Sequence, residues 1–193
     1  IEGAVMLADG PPLEEAVLHV GGSQWSTMLE RSSNWPTFAT LLEPAIPDAL
    51  TRQRLYATSQ LWWDPVDPIG YTADLAGRSF VLQESLGDQQ VPNLTTRVLA
   101  RSVGLTLLTP DADPVWGLET APGPLQGDVR ALVQMDPEVG LPDDTNRPAA
   151  NSGAHEAPRH FPGVLEQTRA WLAGDPLTST CGAAACSASN PGE

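Results

Sequence analysis

The stretch Phe80-Val-Leu-Gln-Glu-Ser-Leu-Gly-Asp88-Gln-Gln-Val-Pro92 constrains the fold more than any other part of the chain. Its first residues are apolar and β-favouring over a length that suits one strand, and Gly87-Asp88 is a turn pair fit for the exit of a buried strand. Proline lacks the backbone donor of a strand ladder, so Val91-Pro92 forbids immediate continuation. Residues 93–104 then read as a helix, with Asn93 as N-cap, Leu94, Val98, Leu99 and Val103 at helical spacing, and Gly104 as the stop. Strand, acidic turn and helix make a βα unit. Such a unit puts the Asp88 carboxylate at the carboxyl end of a strand, where open parallel sheets gather their functional groups. Taken alone, Asp88 reads as a turn or cap aspartate.

The flanking sequence extends this unit into an α/β layout. Glu2 to Ala8 suits a helix that Asp9-Gly-Pro-Pro ends, and Glu15 to Gly22 is a compact apolar segment read as the first buried parallel strand, with His19 inside it. An internal strand histidine is commonly a satisfied core residue. Between Ser23 and Leu75 the pattern turns helical, with segments beginning near Gln24 and Pro36 and a longer one over Pro47 to Trp63. Four of the six tryptophans, Trp25, Trp35, Trp62 and Trp63, fall in this insertion. They suit either a cap over a hydrophobic pocket, with Trp25, Trp62 and Trp63 as its substrate-facing residues, or plain packing of the insertion. After the organising helix come Leu105-Thr-Leu-Leu, a surface run rich in Pro, Gly and Asp to Gly127, a third strand over Val129 to Met135, and a polar loop over 138–153 that leads to His155. Val164, Leu165, Thr168, Trp171 and Leu172 mark a closing amphipathic helix, and residues 175–193 read as a flexible tail with little to pack.

Composition excludes some functions. A net charge of -14, from 24 acidic residues against 10 arginines, repels phosphate backbones, so nucleic acid is not an expected partner. No apolar run approaches the roughly 20 residues that span a bilayer. Cys181 and Cys186 lack the companions of a zinc site and are better read as a local disulfide, which implies an oxidising compartment. The three histidines show no metal-ligand spacing, and neither metal nor cofactor is expected.

The order is now strand, helical insertion, strand with Asp88, helix, strand, loop with His155, helix. An acid after one parallel strand and an imidazole after the next can meet, the acid holding the histidine in one tautomer so that its other nitrogen takes a proton from a nucleophile. Gly87-Asp88-Gln-Gln-Val91-Pro92, Ala154-His155-Glu-Ala-Pro and the Val164 to Leu172 helix resemble the acid and histidine segments of the α/β-hydrolase superfamily, in its serine esterase and lipase branches. The resemblance implies the carboxyl-terminal portion of that fold, with residues 1–22 and 76–174 as core and 23–75 as a tryptophan-rich cap. Asp88 would orient the histidine and His155 would be general base and acid, with His160 as rival.

The family carries its nucleophile on a G-x-S-x-G turn, and no such turn exists here; Gly22-Ser23-Gln-Trp lacks the closing glycine, and Ser85, Ser102 and Ser152 have no elbow context. Competing acids are Asp111, Asp113 and Asp136. The expectation is therefore a secreted or cell-envelope carboxylic-ester hydrolase whose nucleophile lies ahead of Ile1, with these residues alone inactive on a small-molecule ester. The unpaired edge of the first strand would receive the missing amino-terminal half or support self-association. Alternatives are a non-catalytic binding module of the same fold, or a peptidase or acyltransferase of the superfamily.

Overall fold

The computed structural model describes residues 2–142, 145–148 and 150–192. It is an α/β fold built on a parallel sheet. Strands β1 (Val17–His19), β2 (Phe80–Ser85), β3 (Thr106–Thr109), β4 (Glu119–Pro122) and β5 (Arg130–Asp136) lie in the order β1-β2-β5-β3-β4, and β6 (Cys186–Ser187) pairs with the far end of β5. Every pairing between these strands is parallel. The carboxyl ends of β1, β2 and β5 therefore share one rim.

Helices cover both faces, which is why β2 and β5 are buried along most of their length and carry long apolar stretches rather than a clean alternation. Phe80 and Leu82 of β2, Leu107 of β3 and Leu132 of β5 pack with α1 (Glu2–Asp9) and α6 (Asn93–Val103), and Leu75 at the end of α5 (Thr72–Leu75) completes that core. Val81, Ala131, Val133 and Met135 point the other way, toward Val164 and Trp171 of α7 (Pro162–Leu172). The buried face of α6 is Thr95, Thr96, Leu99, Ala100 and Val103, while Leu94 is exposed, so the helix is rotated from the expected stripe. Two buried threonines next to a strand end hide the true face from a hydrophobicity pattern.

The insertion folds as α2 (Trp25–Met28), α3 (Pro36–Ala45) and α4 (Ala49–Trp63). The fourth helix starts after Pro47 because Asp48 caps it, accepting the Thr51 amide at 2.7 Å. Asp67, fully buried, ties the insertion together: Oδ1 accepts from the Gln24 and Ile69 amides, and Oδ2 from the Trp25 amide and Gln60 Nε2.

Residues 175–192 depart from the expected loose tail. Leu177 is buried and bridges Leu125, Cys181 and Cys186 form a disulfide, and β6 extends the sheet. Small residues there serve close packing. A Cβ on Gly163 in α7 would fall 2.7 Å from Cys181 Sγ and 3.1 Å from the Pro191 carbonyl, so the disulfide loop seats directly on that glycine. Opening this short disulfide with Cys181→Ser and Cys186→Ser is expected to cost about 2 kcal/mol by loop-entropy reasoning, read as a lower urea midpoint. An unchanged midpoint would mean that packing alone holds the disulfide loop. No helix among the described residues is long and apolar enough to cross a membrane.

Candidate functional site

Three consecutive buried polar residues end β2, and each fastens a different neighbour. Gln83 Oε1 lies 2.7 Å from His19 Nδ1 while its Nε2 donates to Thr168 Oγ1 of α7 at 3.1 Å. Glu84 Oε1 accepts from Arg97 Nε of α6 and Oε2 from Gln134 Nε2 of β5, both at 2.7 Å. Ser85 donates its hydroxyl to the Ala154 carbonyl at 2.6 Å. Buried polar groups in a central strand are tolerated only when so satisfied.

The turn after β2 is equally determined. Asn93 is the first residue of α6 and not its N-cap; its side chain accepts the Gly87 amide at 2.9 Å and donates to the Ser85 carbonyl at 2.7 Å, clamping strand end to helix start. Gly87 has φ 73° and a Cβ there would lie 2.7 Å from the Gly140 carbonyl, so only glycine fits. This turn aims Asp88 inward. Its Oδ1 accepts the Gln90 and Val91 amides at 2.8 and 3.0 Å, which leaves Oδ2 free to accept from His155 Nδ1 at 2.8 Å. The carboxylate is buried and the imidazole 16% exposed.

His155 is placed by the other end of the same arrangement. Besides the Ser85 bond to Ala154, the Ser152 hydroxyl donates to the Gly87 carbonyl at 3.0 Å, so the histidine loop hangs from the acid's turn at two points. Part of the loop expected over 138–153 lies outside the described residues, at 143, 144 and 149. With Nδ1 committed to Asp88, the proton sits on Nδ1 and Nε2 is the basic nitrogen. Nε2 makes no hydrogen bond among the described residues, and the ring lines a cavity of about 660 Å³.

That cavity is walled by His19, Trp25, Met28, Trp35, Phe38 and His155, among others. Trp25 is part of its lining. Trp63 stacks on Trp25 with ring centroids 5.3 Å apart and supports the wall from behind, and Trp62 is 72% exposed and takes no part in it. Residues 62 and 63 are neighbours on one helix, so their side chains diverge by about 100° and cannot share a face. Trp35, not singled out as a pocket residue from the sequence, lines the cavity and packs edge-on against Tyr56.

The competing residues separate cleanly. His160 is exposed at the end of a short 3-10 turn (Ala157–His160), and the Asp88 carboxylate bonds to His155 and not to it. Asp113 pairs with Arg97, and Asp136 accepts the Glu138 amide. Ser85 and Ser152 are spent on the histidine loop, Ser23 is buried, and Ser32, which lines the cavity, donates its hydroxyl to the Gln90 carbonyl at 2.8 Å. None of these serines is bonded to His155. No group of three or more His, Cys, Asp and Glu side chains among the described residues could hold a metal ion.

Comparison with known proteins returns no matching family model and no significant match among curated proteins or solved structures. Function is therefore read from geometry.

Proposed function

We propose that these residues supply the acid and base of a serine ester hydrolase of the α/β-hydrolase kind, with the nucleophile contributed by residues other than these 193. The observation that carries the reading is the 2.8 Å bond from His155 Nδ1 to a buried carboxylate, at the carboxyl rim of a parallel sheet and beside an apolar cavity. A histidine so held takes a proton from an attacking hydroxyl at Nε2 and returns it to the leaving alcohol, while Asp88 fixes the tautomer and offsets the charge that develops. Residues 23–75 act as a cap whose tryptophan wall receives the apolar part of the ester. The open edge of β1, which pairs with β2 alone among the described strands, is where the nucleophile-bearing strands dock. The disulfide supports a secreted or envelope location.

The test is turnover of 4-nitrophenyl butyrate by this chain preceded by the polypeptide encoded ahead of Ile1. Activity that falls at least about 10³-fold in His155→Ala supports the reading. Activity insensitive to that change removes it. Residues 1–193 alone should show no His155-dependent turnover, since a base without a nucleophile has nothing to activate.

A further inference from the structure

The last residue of β1, His19, forms part of the same cavity wall as His155, yet the proton transfers above do not use it. Its chemistry is fixed by Gln83. Gln83 Oε1 is the atom that faces His19, and its Nε2 donates to Thr168 Oγ1. An amide oxygen only accepts, so Nδ1 carries the proton across the 2.7 Å contact and Nε2 is left as a bare lone pair. Nε2 is buried and has no hydrogen-bond partner among the described residues. Burial lowers the pKa of the ring from its ordinary value; Arg159 and His155 add repulsion, and the Gln83 bond and Glu156 oppose the effect without reversing it. The ring is thus neutral near physiological pH, and Nε2 accepts but cannot donate.

A buried acceptor without a donor is costly, and Asn34, Gln90 and Arg159, donor-bearing side chains that also line the cavity, make no hydrogen bond to it. We infer that the cavity takes molecules with an apolar body and a hydroxyl or amide N–H donor, and that His19 Nε2 is the acceptor that selects them. An ether or ketone in the same place would set lone pair against lone pair. This inference rests on the proposed hydrolase only in naming those molecules as hydroxyl- or amide-bearing esters and their products.

Binding alone tests it. The whole chain is titrated with 4-phenylbutan-1-ol and separately with its methyl ether, while long-range proton–nitrogen spectra follow the imidazoles, His19 being assigned from a His19→Phe variant. Expected are a Nδ1-protonated His19, an Nε2 resonance that shifts with the alcohol and not the ether, and about 10-fold tighter binding of the alcohol. His19→Phe, which keeps a ring and removes the lone pair, should abolish that preference. The inference is overturned by equal affinity for both probes in the wild type, by an Nε2-protonated ring, by an Nε2 already hydrogen-bonded before either probe is added, or by failure of both probes to bind at millimolar concentration. The spectra and the wild-type affinities stand even if the variant does not fold. None of these readouts needs turnover: alcohol preference in a protein whose ester hydrolysis ignores His155→Ala would retire the hydrolase and keep the acceptor, and the opposite pair of results would do the reverse.

Discussion

Asp88→Asn is expected to reduce ester kcat/KM by about 10³- to 10⁴-fold in the active protein while leaving the fold in place. The reason lies in how the carboxylate is shared. One oxygen is held by the amides of Gln90 and Val91, and an asparagine keeps those bonds by turning its carbonyl oxygen toward them. Its NH2 group then faces His155 Nδ1, where Oδ2 had accepted. A donor cannot meet a donor, so the imidazole is driven to carry its proton on Nε2, and the nitrogen needed as base is no longer free. The loss corresponds to about 4–5 kcal/mol of transition-state stabilisation. Asp88→Ala removes the tautomer trap but also leaves the Gln90 and Val91 amides without their acceptor, so it should additionally lower the melting temperature. A fall of less than about 10-fold in Asp88→Asn, with the melting temperature unchanged, would show that the pair is structural only.

Arg97→Ala is expected to produce the largest loss of stability, about 3–5 kcal/mol, because it strips the cation from a wholly buried carboxylate. Glu84 would keep neutral partners such as Gln134 but no cation, and Asp113 would lose the guanidinium nitrogen that lies 2.7 Å from it. Burial pushes the Glu84 carboxyl above its usual range even with Arg97 and Gln134 pulling it down. With Arg97 gone that push is opposed less. A carboxyl whose folded pKa lies above its unfolded value binds more protons in the native state, so its contribution to stability is greatest at low pH and is lost as pH rises through the folded value. The defect should accordingly be larger at pH 8 than at pH 5 in urea titrations. The double change Arg97→Met with Glu84→Gln should recover much of the loss, since an absent buried pair costs far less than half of one. Equal midpoints for wild type and Arg97→Ala would show that water reaches Glu84.

The parallel α/β layout and the meeting of Asp88 with His155 were legible because each rests on local chemistry: a strand ended by Gly87-Asp88, a proline that blocks its continuation, and a histidine in the loop after β5. What was not legible has a common physical cause, namely polar or small residues doing the packing. Gln83, Glu84 and Ser85 read as the fading end of a strand, yet they are buried and bonded to three separate elements. Thr95 and Thr96 turn α6 away from the stripe that Leu94 suggests. Strand β4 lies in a run rich in Pro and Gly at the sheet's edge, largely exposed, and so carries no apolar pattern. Asn93 looks like a cap because its type favours caps, and only the Gly87 and Ser85 bonds disclose the clamp. The disulfide loop of Cys181 and Cys186 packs through the absence of side chains, which hydropathy cannot register.

The polar end of β2 also guards against misalignment. Side chains alternate along a strand, so a one-step slip of β2 would carry Glu84 to the α7 face opposite Thr168, and would swing Gln83 round to the α6 face that Arg97 serves. Apolar neighbours tolerate such a shift far better than a carboxylate does. Phe80 to Leu82 therefore supply cohesion, whereas Gln83 to Ser85 admit a single threading of the sheet and, with it, a single setting for Asp88 against His155.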